Sequence, residues 1–79
     1  MSGGYTWVRN VWTGHDLAKV SETRRLVRQT FGGAPPLYLA EEWGDYSLRY
    51  PVHGGWHAST RAALASLDRR LAAPEEETP

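Results

Sequence analysis

"DLAKVSETRRLVRQTF", Asp16 to Phe31, is the stretch on which the fold turns. Leu17, Val20, Val27 and Phe31 recur at helical spacing, and Thr13 stands three residues ahead of Asp16 as in a capping box with Asp in place of Glu. Gly32-Gly33 followed by Pro35-Pro36 closes the stretch as helices end. The spacing predicts a helix over 16–31, with Ser21-Glu22-Thr23-Arg24 as an alternative start one turn later. On that helix Arg24 and Arg28 are four apart with Arg25 one position round, a basic strip in which Leu26 stands exposed opposite the apolar stripe.

Upstream, "YTWVRNVW" (Tyr5–Trp12) is aromatic and β-branched, which suits a strand, with apolar residues on both faces. Downstream, "PLYLAEEWGDYSLRYPV" is two strand-like runs around Gly44-Asp45, a pair suited to a two-residue type II′ turn. That register sets Trp43 opposite Tyr46, Glu41 opposite Leu48, Leu39 opposite Tyr50 and Leu37 opposite Val52 as the buried face. Tyr38, Ala40, Glu42, Ser47 and Arg49 fall on the open one. After Gly54-Gly55, "WHA" adds a short strand; Ser59 or Thr60 then caps a last helix whose stripe is Ala63, Leu64, Leu67 and Leu71. The expected fold is a small α+β two-layer sandwich in the order β-α-β-β-(short β)-α, an antiparallel sheet with both helices on one face. Residues 1–4 are expected to be flexible, 5–73 to form a single domain and 74–79, "PEEETP", to be a disordered acidic tail.

With 79 residues, the chain has room for one core, in which aromatic side chains must supply much of the buried area. It has no cysteine, hence no disulfide, thiolate metal site or cysteine nucleophile. No apolar run approaches the roughly 18 residues of a membrane span, so no membrane contact and a cytoplasmic location are expected. Net charge is zero, but the tail holds three of the nine acids, leaving nine bases against six acids, or +3, in the body. That is modest for a dedicated nucleic-acid binder. Eight arginines against one lysine, with many alanines, match the composition of GC-rich bacterial genomes and their phages, so a phage or mobile-element origin is expected.

No cofactor and no catalysis are expected: Glu41 and Glu42 point to opposite faces of a strand, and Ser59 and His57 are paired only in sequence. His53 and His57 lack a third ligand at metal-site spacing, so no metal is expected. Gly54, Gly55, His57, Ser59 and Thr60 could hold an anion at the helix N-terminus. Tryptophan and arginine carry interface energy, and Trp7, Trp12, Arg24, Arg25, Leu26 and Arg28 form the expected protein-docking set of a non-enzymatic regulator or inhibitor of a partner protein. The alternative is a nucleic-acid-binding regulatory domain using Arg24, Arg25, Arg28, Tyr38, Arg49 and Arg61, and an uncovered edge of the first strand could pair two copies into a homodimer.

Two resemblances accompany this reading. The outline of helix, hairpin, short strand and "STRAALASLDRRL" is similar to a double-stranded-RNA-binding domain, although only Arg61 answers to the family's basic cluster. "YSLRYPVHGGWHASTRAALASL" resembles the strand-to-helix half of HicB-type antitoxins over about a third of the chain.

Overall fold

The computed structural model describes residues 4–44 and 51–72. Five strands, β1 (Val8–Arg9), β2 (Asp16–Lys19), β3 (Arg24–Gln29), β4 (Leu37–Glu42) and β5 (Val52–His57), precede one helix, α1 (Thr60–Ala72). Each strand pairs antiparallel with the next, in the spatial order β1-β2-β3-β4-β5.

The predicted first helix does not form: Asp16–Phe31 is a hairpin, with Leu17 opposite Val27, Ala18 opposite Leu26 and Lys19 opposite Arg25. The backbone closes it without glycine or proline, because the N–H groups of Val20 and Ser21 both donate to the Arg24 carbonyl, at 2.9 and 3.2 Å. Adjacent Leu26 and Val27 are both buried, Leu26 beneath α1 and Val27 between its paired neighbours Leu17 and Leu39 on the other face, so the strand shows no alternation to give it away. Leu17, Val20, Val27 and Phe31 matched a helical period by coincidence. The fold is thus a five-stranded antiparallel sheet with one C-terminal helix, and it departs from the outline of a double-stranded-RNA-binding domain, which places a helix before the strands.

Ala18, Leu26 and Ala40 lie side by side across β2, β3 and β4 and pack with Ala63 and Leu67 of α1 as the core. Three of these five are alanines, so the helix sits close to the sheet. It comes against the backbone at Gly54 of β5, where a Cβ would stand 2.5 Å from Ser66 Oγ, 2.8 Å from the Ser66 carbonyl carbon and 2.9 Å from Leu67 N. Helix α1 starts as expected, with Ser59 Oγ accepting from Ala62 N at 3.1 Å. It is clasped to β3 and β4 by Arg24, which donates to Glu42 Oε1 and to Asp68 Oδ1, each at 2.9 Å.

The β4–β5 register also differs from expectation. Glu42, not Leu37, stands opposite Val52, and Leu39 stands opposite Trp56, with a bulge between Leu39 and Glu41. A two-residue turn at Gly44-Asp45 cannot give this pairing, which also sets Glu41 opposite His53 and not Leu48; Tyr46 and Arg49 lie outside the described residues, as do the tail and residues 1–3 of the segment 1–4 predicted to be flexible. The face predicted as open, Tyr38-Ala40-Glu42, is the one that α1 covers, Ala40 being wholly buried. Alanine, a weak hydrophobic signal in sequence, is here the residue that lets the helix approach.

Candidate protein-docking surface

Opposite α1, the sheet carries a continuous apolar row of directly paired residues, Val8, Leu17, Val27, Leu39 and Trp56, one from each strand. Its central members are sheltered and its ends are open: Val8 is 63 % exposed and Trp56 38 %. Phe31 meets Trp56 edge-on at 5.4 Å between ring centres. The neighbouring row, Lys19, Arg25, Glu41 and His53, is charged, with Arg25 lying 5.0 Å over the Trp43 ring and 3.6 Å from Glu41 Oε1. Tyr5, Thr6, Val8, Leu17, Lys19 and Arg25 line a hollow of about 580 Å³ at the β1–β2 end of this face.

From the Arg9–Asp16 pair, at the opposite end of the hairpin from Tyr5 and Lys19, springs the β1–β2 turn, held by a dense local network. Asn10 N donates to the His15 carbonyl at 2.7 Å and Gly14 N to the Asn10 carbonyl at 2.8 Å. Asn10 Oδ1 accepts from Trp12 N at 2.9 Å and Thr13 N at 3.3 Å, and Thr13 Oγ1 accepts from His15 N at 3.2 Å. Gly14 adopts φ +79°, which favours glycine. Thr13, expected to cap a helix, instead caps a turn. The network fixes the backbone of Val11 and Trp12 while leaving their side chains in water, at 80 % and 91 % exposure.

The expected docking residues are thereby separated. Leu26 is entirely buried in the core, and the strip of arginines becomes an alternating set. Arg25 faces the open side, while Arg24 and Arg28 face the side of α1. Arg28 stacks 4.3 Å over the Trp7 ring and donates to Asp16 Oδ2 through Nη2 at 2.9 Å; Arg9 Nε reaches Asp16 Oδ1 at 2.7 Å. Trp7, half-buried, also packs on Tyr38 at 5.9 Å. Hydrogen bonds first from Arg9 and then from Arg28 hold the Asp16 carboxyl below the ordinary carboxylate range. Glu42 is lowered too, by Thr23 and then Arg24, and its bond to Arg24 raises the guanidinium. Four of the arginines, Arg9, Arg24, Arg25 and Arg28, therefore already have carboxylate partners. Arg61 is exposed on α1, away from them.

The histidines answer to the bulge in β5. His53 Nδ1 accepts from Gly55 N at 3.3 Å, and the His57 Nε2 lies 3.1 Å from the Gly54 carbonyl, which also accepts from Ser66 Oγ at 2.8 Å. Gly55 has φ +92°. The anion set does not converge: Gly54 lies under the middle of α1 beside Ser66, whereas Ser59 and Thr60 begin the helix and Ser59 Oγ is already engaged. Among the described residues no group of three or more His, Asp or Glu could hold a metal ion, and no helix is long and apolar enough to cross a membrane.

Tyr5, Val8, Val11, Leu17 and Lys19 were missed in the sequence. Their signal was "NVWTG", Asn10 to Gly14, whose Asn and Gly bracket a turn with two apolar residues at its tip. No protein-family model, curated protein or solved structure matches the chain.

Proposed function

We propose that this chain is a small non-enzymatic protein-docking module, a regulator or inhibitor that acts by contact, and that its contact surface is the β1–β2 hairpin with the adjoining open face of the sheet. The observation that carries this reading is the pre-set turn that holds Trp12 almost wholly in water. A buried indole is among the largest single contributors to protein interfaces, and fixing its backbone beforehand removes part of the ordering cost of binding. The cytoplasm is the compartment proposed; a chain without cysteine folds in reducing and oxidising surroundings alike, so its redox chemistry is compatible with that placement without requiring it.

The nucleic-acid reading is less well supported, because Arg24, Arg25 and Arg28 would have to exchange internal carboxylates for phosphates. A photo-crosslinking amino acid at position 11, beside an intact Trp12, in the full chain and in its native cell, tests the proposal. The expected result is a discrete protein adduct, competed by excess unlabelled chain and lost when Trp12→Ala is introduced into the labelled chain itself. Crosslinks to nucleic acid, or none to protein, would overturn it.

A further inference from the structure

We infer that the occupant of this surface is a second copy of the chain, with Trp12 of each copy seated in the hollow between Tyr5, Val8, Leu17, Lys19 and Arg25 of the other. The inference rests on the docking reading above and names its partner.

Knob and hollow belong to one hairpin: Val8 and Leu17 of the hollow pair next to Arg9 and Asp16, from which the turn bearing Trp12 springs, while Tyr5 and Lys19 of the hollow lie further from that turn. A knob and a hollow at different places along one hairpin allow a two-fold axis to make both contacts at once, which closes a dimer instead of growing a filament. The chemistry of the hollow suits an indole, since its lining combines apolar Val8 and Leu17 with the cations Lys19 and Arg25. The chain already sets arginine over tryptophan twice within itself, at Trp7 and Trp43.

The energetics point the same way. The buried hydrophobic core among the described residues is seven side chains, three of them alanine, and β1 is a two-residue edge strand whose Val8 lies largely in water. A domain this small gains proportionally from further apolar burial. Repulsion does not oppose it: formal net charge is zero, the isoelectric point is near 6.8, and Arg9 and Asp16 on the hairpin neutralise each other.

Sedimentation equilibrium of the purified full chain, from micromolar to about 1 mM, tests this against two variants. A concentration-dependent dimer is expected. Trp12→Ala, which removes the knob, and Val8→Glu, which spoils the hollow, should each weaken it about thirtyfold or more, the scale of losing an interface anchor. Both positions are exposed, and circular dichroism melting at monomeric dilution establishes that each variant is folded. An equimolar mixture of the two variants should regain part of the association, since a Trp12→Ala copy keeps its hollow and a Val8→Glu copy keeps its knob. A monomer at 1 mM, a dimer unaffected by Trp12→Ala, or a mixture without recovery would each overturn the inference. A monomeric chain that still gives a protein adduct at position 11 in cells would sink the second-copy assignment and leave the docking reading standing; the loss of both would remove both.

Discussion

Substituting Gly54 with alanine would drive a methyl group into the backbone of Ser66 and Leu67, where the obstacle is not a movable side-chain tip. The variant should lose about 1–3 kcal/mol in urea unfolding, the usual range for overpacking a close contact. Leu26 gives the complementary test. As a core residue it should lose about 2–5 kcal/mol on substitution by alanine, whereas a leucine exposed on a helix would change stability by less than about 0.5 kcal/mol. Trp12→Ala belongs in the second class, with an expected stability within about 0.5 kcal/mol of the parent when monomeric. These three residues also show what the sequence could reveal. An excess of tryptophan was plain, but which indole stays outside is decided by Asn10 and Gly14 shaping a turn, and Leu26 is interior because its neighbours across the sheet are alanines.

Among the elements, α1 was the one most legible in advance, because Ser59, the Ala63-Leu64-Leu67 stripe and the local character of helical hydrogen bonds all lie within one short stretch. The β2–β3 hairpin was not, since its pairing joins residues up to twelve apart and its Ser-Glu-Thr turn holds none of the Gly, Pro, Asn or Asp that most strongly announce one. The faces of β4 were assigned correctly relative to each other and wrongly relative to the helix. Amide hydrogen exchange should follow this arrangement: β3 and β4, paired on both sides, exchange slowest, and β1 at the edge exchanges fastest of the strands. Replacing Asn10 by alanine removes the acceptor for two turn amides, and should speed exchange at Trp12 and Thr13 while leaving β3 and β4 protected. Uniform acceleration across the sheet would contradict the local role given to Asn10.

At the scale of the whole molecule, the ion pairs give acid sensitivity of a definite sign. Asp16 and Glu42 titrate lower in the folded chain than in the unfolded one, so the unfolded state takes up protons first as pH falls. Their contribution is complete above the ordinary carboxylate range near pH 4 and drains away as pH drops through that range toward the lowered folded values. Urea midpoints from pH 7 to pH 2 should fall in that window, and Asp16→Asn should start lower at neutral pH and decline less steeply. An equal decline in the variant would show that Asp16 holds Arg9 and Arg28 to no net effect.

The sheet's strictly sequential strand order has a kinetic consequence. Every strand finds its partner in the piece of chain made just before or after it, so pairing can advance hairpin by hairpin as the polypeptide emerges, with little loop entropy lost at any step. The packing of α1 on the sheet is long-range by contrast, and its side-chain bond from Arg24 to Asp68 spans 44 positions. That bond can form only when α1 arrives, and it acts as a latch fastened on a sheet already laid down.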